Sequence, residues 1–487
     1  IGGLALFLYG MHVMGDGLAK VSGGKMEKIL ESLTSNPLKA VGLGALVTAV
    51  IQSSSATTVM VVGFVNSGIM KLSQAVGVIM GANIGTTVTS WILSLSGIES
   101  DNFFVQLFKP ASFSPVLAMI GVAFLLFAKS ERKKDLGTIF LGFAVLMYGM
   151  DSMSAAVKPL ADVPEFTGIL TAFSNPLLGM LAGALLTAVI QSSSASVGIL
   201  QALCVTGAVS YGAAIPIILG QNIGTCVTAL LSAIGAKKNA KRAAMVHLYF
   251  NIIGTTVFLV IFYGLNLVFK FSFLDHAANA AGIAVAHSAF NVFATAVLLP
   301  FSKGLEKLAC LTIRDEKEET AQSDGAQLLD IRFLEQPAFA MEQSRNVAKR
   351  MADTSKNALF TAFSLFREYN PEQEKAVTEE EKRVDAYEDA LGSYLVKLGQ
   401  KDLTQQDSRD LSIILHCIGD FERISDHAVN IMQSAKEMYS KNMKFSDKAL
   451  QELHVIAKAV EDIFDSAYKV FAGQDQEMAK SVEPLEQ

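Results

Sequence analysis

From Phe166 to Ala236 the chain runs 71 residues without an Asp, Glu, Lys or Arg, and from Leu72 to Ile98 another 27. Roughly 20 apolar residues are enough for a helix to cross a bilayer, whereas a water-soluble fold rarely keeps so long a stretch uncharged. The feature predicts an integral membrane protein. It does not extend to the whole chain. Residues 1–302 hold 16 Lys and Arg against 11 Asp and Glu, while the remaining 185 residues hold 24 basic and 35 acidic groups. The expected organisation is a transmembrane domain over 1–302, a linker over 303–328, a charged soluble domain over 329–475 and a tail over 476–487. The four cysteines, Cys204, Cys226, Cys310 and Cys417, have no metal-ligand or redox spacing and read as packing residues.

The membrane part is a duplication. Residues 48–56 and 187–195 both read TAVIQSSSA, and without gaps 34–95 matches 173–234 at 26 of 62 positions. Asn36-Pro37 falls on Asn175-Pro176, Gly81-Ala-Asn-Ile-Gly-Thr86 on Gly220-Gln-Asn-Ile-Gly-Thr225, and Tyr9-Gly-Met11 on Tyr148-Gly-Met150, all at an offset of 139. Copy one occupies about 1–128 and copy two about 136–302.

Charge bias in the loops sets the orientation, because Lys and Arg stay in the cytoplasm. Glu99 and Asp101 follow the first GANIGT segment, but Lys237, Lys238, Lys241 and Arg242 follow the second. The loop before each QSSS segment changes sign too: Lys20, Lys25 and Lys28 with Glu27 and Glu31 in copy one, Lys158 with Asp162 and Glu165 in copy two. Opposite bias at equivalent places predicts inverted topology. The basic linker 129–134 is then cytoplasmic. Crossing parity closes if each 62-residue unit makes a re-entrant hairpin at QSSS plus one broken spanning helix at the NIGT motif. It also puts the C-terminal domain in the cytoplasm.

Inverted repeats with interrupted helices place a substrate site near the membrane midplane. Gln52-Ser53-Ser54-Ser55 and Gln191-Ser192-Ser193-Ser194 interrupt apolar runs. Four successive polar side chains are costly against lipid, but at a hairpin tip their hydroxyls and the next half-helix N-terminus suit an anion. Asn83, Thr86 and Thr87, with Asn222 and Thr225, lie among glycines that permit an unwound backbone. Their oxygens, with freed carbonyls, are hard ligands for a small cation. No Arg or Lys accompanies either motif apart from Lys39, whose repeat partner is Leu178. A bare charge at mid-membrane costs at least about 2.5–3.5 kcal/mol, so the pattern predicts that cation and anion bind together. Two His-x-x-Phe-Asn motifs, His247 with Asn251 and His287 with Asn291, put each pair one turn apart on a helix face. They are expected to shape the cavity, to titrate with substrate or to bond helices together.

Paired QSSS motifs, each followed by G-x-N-I-G-T, with H-x-x-F-N further on, resemble the type II sodium/phosphate cotransporter family over about 1–302. The resemblance implies sodium-coupled transport of inorganic phosphate. It implies that the two QSSS motifs line the substrate and sodium sites and that Asn83, Thr86, Asn222 and Thr225 belong to the family's second signature element. Both H-x-x-F-N motifs fall in the second half, so symmetry outside the 62-residue unit is imperfect.

The soluble part shows four helical stretches near 333–369, 371–398, 403–440 and 446–472, an antiparallel helical bundle. Glu381 with Asp385 and Glu422 with Asp426 place carboxylates at i and i+4, where they repel unless a cation lies between. The run Asp420–Asn430 is similar to the signature of PhoU-type domains, over about 335–472. That resemblance implies control of phosphate uptake, and a divalent or transition metal on these four carboxylates.

The expected fold class is therefore all-α: a polytopic membrane domain of two inverted repeats with re-entrant hairpins and broken helices, plus a soluble helical bundle. The expected activity is secondary transport of phosphate with sodium across the inner (plasma) membrane, with a homodimer expected and no nucleic-acid partner. An exporter or a carrier of another oxyanion is the alternative within transport; a membrane phosphate sensor is the alternative of another class. No nucleophile–base pair or cofactor motif suggests an enzyme.

Overall fold

The computed structural model describes residues 1–22, 36–97, 109–314, 329–473, 479–480 and 482. The loop charges Lys25, Glu27, Lys28, Glu31, Glu99 and Asp101, the end of the linker and most of the tail lie outside them. The chain divides into two compact units, Ile1–Glu319 and Thr320–Gln487. Among the described residues every regular element is helical.

In the first unit copy one contributes α1 (Gly2–Ser22), α2 (Pro37–Ile51), α3 (Ser54–Asn66), α4 (Leu72–Ser94) and α5 (Pro110–Phe127). Copy two contributes α6 (Glu131–Val157), α7 (Pro164–Ala172), α8 (Pro176–Ile190), α9 (Ser193–Cys204), α10 (Tyr211–Ser232) and α11 (Lys238–Phe269). Then come α12 (Ala280–Leu298) and α13 (Ser302–Thr312). Five helical stretches here are long and apolar enough to cross a membrane.

Glycine contacts establish the symmetry. A β-carbon on Gly10 of α1 would fall 2.2 Å from Leu146 N, and one on Gly149 of α6 would fall 2.2 Å from Phe7 N. Leu146 and Phe7 are themselves repeat equivalents, so the contact is reciprocal, as only a two-fold axis allows. Gly3 meets Met153 and Gly142 meets Met14 in the same way. Residue numbers rise along α1 as they fall along α6, so the equivalent helices are antiparallel and the axis lies across them. For helices that cross the bilayer, such an axis lies in the membrane plane. The repeats are inverted.

Within each copy two parallel helices pack backbone to backbone. A β-carbon on Gly81 would sit 2.0 Å from Val41 O, and one on Gly220 1.9 Å from Met180 O; Gly85 and Gly224 press likewise on Ala45 and Ala184. Because α2 and α4 run parallel, α3 between them must run back. A contact between Thr48 and Thr57, nine residues apart with hydroxyls 3.0 Å from one another, closes that hairpin. At 15 and 13 residues, α2 and α3 span about 20 Å each and cannot cross; α4, with 23, spans about 34 Å and can. Asn66 Oδ1 accepts from Lys237 N at 2.8 Å, which puts the α3–α4 turn on the same side as the basic start of α11.

Residues 303–312, read from the sequence as the start of a linker, instead form most of α13, which buries Leu305 and Ala309. Its amphipathic pattern was masked by the charges around it. Arg242, buried at the start of α11, donates to Ile313 O from Nε (3.0 Å) and Nη2 (2.8 Å) and so holds the C-terminal end of α13.

The second unit is a four-helix bundle: α14 (Pro337–Ser364), α15 (Pro371–Leu398), α16 (Gln405–Ser440) and α17 (Asp447–Gly473). Asn370 caps α15 by accepting from Glu372 N, with Pro371 in the first turn where no amide is needed. Leu359, Leu365, Val377 and Met432 sit in its core.

Candidate functional site

Both QSSS motifs fold alike. Gln52 and Gln191 end α2 and α8 in the left-handed region, at φ/ψ of 60/22 and 58/24 degrees. A side chain there costs about 1–2 kcal/mol. Ser53 and Ser192 are extended and cap the next helix, Ser53 Oγ accepting from Ala56 N at 3.1 Å and Ser192 Oγ from Ala195 N at 3.2 Å. The helix breaks therefore fall at Gln52-Ser53 and Gln191-Ser192.

The two tips meet. Ser54 Oγ lies 3.4 Å from Ser193 Oγ, and Ser55 Oγ donates to Gln191 O at 3.3 Å. Two half-helix N-termini, α3 and α9, thus converge with first-turn amides that have no acceptor within their own helix. Their dipoles favour negative charge at one point. No fixed cation shares it. Lys39 is exposed, and Arg242 is the one buried charge among the described residues of this unit, engaged elsewhere.

The second motif differs from expectation. Helices α4 and α10 run unbroken through Gly81–Thr86 and Gly220–Thr225. The glycines serve close packing against α2 and α8, which requires regular helix and leaves no backbone carbonyl freed. Thr86 and Thr225 hydroxyls donate to Ala82 O and Gln221 O, Thr87 to Ile84 O, and Asn222 Nδ2 to Ile218 O. All five predicted side chains are buried. A cation placed here would meet side-chain oxygens, not freed backbone carbonyls.

Asn83 Nδ2 donates to Asn251 Oδ1 at 2.9 Å, joining copy one to the first H-x-x-F-N motif. Asn251 in turn donates to His247 O. His247 is fully buried with neither ring nitrogen bonded among the described residues, and His287 Nδ1 and Asn291 Oδ1 are likewise without partners. One large cavity of about 420 Å³, lined by Tyr211, Ile218, Phe258, Phe262, Phe273 and other apolar side chains, takes in Phe290 of the second motif but none of His247, Asn251, His287 and Asn291.

Sequence reasoning missed three residues at the tips. Thr48 and Thr57 close the first hairpin, and Thr89 Oγ1 donates to Gln52 Oε1 at 2.8 Å. Thr48 stood inside the nine identical letters, four residues before Gln52 and so on its helix face; Thr89 carried only its repetition as Thr228.

In the second unit Glu381 and Asp385 on α15 face Glu422 and Asp426 on α16. Partial burial raises the carboxyls of Glu381, Asp385 and Glu422 above their ordinary range, and the mutual repulsion with Asp426 adds to it. Yet among the described residues no three Asp, Glu, His or Cys side chains converge as metal ligands. The cluster as placed does not fit the expected metal, because the carboxylates sit on two helix faces without turning to one point.

Comparison with known proteins agrees with this architecture. The pattern of the Na+/Pi-cotransporter family matches residues 6–155 and again 145–278, and that of the PhoU domain matches 348–435. YjbB of Salmonella typhimurium, named for inorganic phosphate export, is 26% identical over 98% of this chain and 85% of its own. The uncharacterised YqeW of Bacillus subtilis is 32% identical over 53% of this chain and 79% of its own. The sodium-dependent phosphate transport protein 2A of Rattus norvegicus is 27% identical over 39% of this chain and 29% of its own. No solved structure matches. With duplicated signature hairpins in an inverted membrane unit, followed in the chain by a helical domain, the chain belongs to the Na+/Pi-cotransporter family and carries a PhoU domain.

Proposed function

We propose that this protein carries inorganic phosphate across the inner (plasma) membrane together with sodium, with the PhoU domain cytoplasmic. The observation that carries the reading is the meeting of the Ser54 and Ser193 hydroxyls between two helix N-termini. Ser53–Ser55, Ser192–Ser194, Gln52 and Gln191 offer donors to phosphate oxygens. The oxygens of Asn83, Thr86, Thr87, Asn222 and Thr225 are the candidate sodium ligands. With no Arg or Lys at the tips, co-bound cations offset the anion's charge, which ties the two fluxes together. Lys237, Lys238 and Lys241 beside the α3–α4 turn support that side as the cytoplasm.

A second reading, outward phosphate transport, is favoured by the name of the relatives that match nearly the whole chain. A coupled carrier runs either way, so the gradients decide. Phosphate uptake into proteoliposomes with and without a sodium gradient tests the proposal. Flux that rises with the gradient and falls in Gln52→Ala is expected; equal flux in choline medium sinks the sodium coupling, and no flux sinks transport altogether.

A further inference from the structure

The two hairpins have matching backbones but unequal side-chain bonding. In copy one, Thr48 bonds Thr57, and Thr89 on α4 bonds the buried Gln52. The equivalents in copy two are Thr187, Ser196, Thr228 and Gln191, each able to form the same bonds. There the hydroxyls of Thr187, Ser196 and Thr228 are buried without a partner among the described residues, and Gln191 is exposed. A buried hydroxyl with no acceptor is costly, so the asymmetry has to come from somewhere. The bonding groups themselves are not the source, because both copies carry them.

We propose that Thr89 and Thr228 are positioning residues that hold the two motif glutamines in turn. One hairpin is latched by its Thr–Gln and Thr–Thr (or Thr–Ser) bonds while the other is released, and the transport cycle exchanges the latch between copies. An inverted-repeat carrier alternates access by rocking or gating one repeat against the other around a fixed site, and in this exchange the bonds lost in one half are those gained in the other. The exchange is therefore close to neutral in hydrogen bonding. This inference rests on the transport reading, in which Gln52 and Gln191 face the substrate.

Hydrogen exchange of the full chain in lipid nanodiscs tests it, read over residues 48–57 and 187–196. The native protein should exchange more slowly over 48–57. Thr89→Val, which keeps shape and removes the hydroxyl, should speed exchange over 48–57 and slow it over 187–196, each about five- to tenfold for one hydrogen bond. Thr89→Ser should restore the native pattern. Thr228→Val should act in the opposite sense on both segments, and serves if Thr89→Val fails to fold. A merely structural Thr89 would loosen its own hairpin alone; that outcome, or equal exchange of the two native hairpins, overturns the proposal. The measurement needs no phosphate flux, so it stands apart from the uptake assay.

Discussion

Ser54 and Ser193 are the same residue of a duplicated motif, 139 positions apart, and their hydroxyls stand 3.4 Å from each other. Equivalent atoms come this close only beside the two-fold axis itself. The axis of the inverted repeat thus runs through the candidate anion site, and each copy contributes one of the paired serine hydroxyls.

Equal contribution predicts equal loss. Ser54→Ala and Ser193→Ala should each weaken phosphate affinity about tenfold or more, since a hydrogen bond to a charged group is worth about 1.5–3 kcal/mol. Phosphate concentration dependence of uptake, measured for both variants, checks this. A large effect from only one would separate the site from the axis.

Backbone contact at the glycines predicts intolerance of a methyl group. Gly81→Ala and Gly220→Ala force a β-carbon to about 2 Å from a carbonyl oxygen and should each destabilise by about 1–3 kcal/mol, the usual range for overpacking. Gly42→Ala, which meets nothing within 4 Å, should leave the thermal midpoint in detergent unlowered.

The Asn83–Asn251 bond predicts non-additivity. Either alanine variant strands a buried amide, at about 1–3 kcal/mol, so the double variant should be less destabilised than the two single losses combined. Thermal unfolding of the four proteins gives the coupling. Sodium dependence of uptake in the same set reports whether the pair also serves the cation.

Carboxyls raised by burial and repulsion predict a pH effect of definite sign. The folded helical domain favours the protonated forms of Glu381, Asp385 and Glu422. Their penalty is absent at low pH and develops as pH rises through the ordinary carboxylate range towards neutrality. Glu422→Gln or Asp385→Asn should therefore stabilise the domain at pH 7. Solvent screening limits the gain to about 0.5–1 kcal/mol. The gain should shrink below about pH 4, near the ordinary carboxylate pKa, as followed by circular dichroism of residues 320–487.

Much of this architecture was legible in the chain itself. Charge-free length established the membrane unit, the offset of 139 established the repeat, and loop charge established its inversion. The break at each QSSS was legible too, because a polar cluster within an apolar run has few places to go. Identical letters then produced nearly identical torsions at Gln52 and Gln191, since backbone conformation at a helix end is a local matter.

Tertiary structure alone decided the rest. Gly81 and Gly85 suggest an unwound segment on sequence alone, and the approach of α2 makes them a packing face of a regular helix instead. The carboxylates of Glu422 and Asp385 could be recognised by spacing, but whether they turn to one point depends on how α15 and α16 meet. Most tellingly, Thr89 bonds Gln52 while Thr228, in the matching place, has no partner among the described residues. Local sequence sets what a side chain is able to bond; which of two equivalent bonds forms depends on the placement of distant helices, which the shared motif letters do not specify.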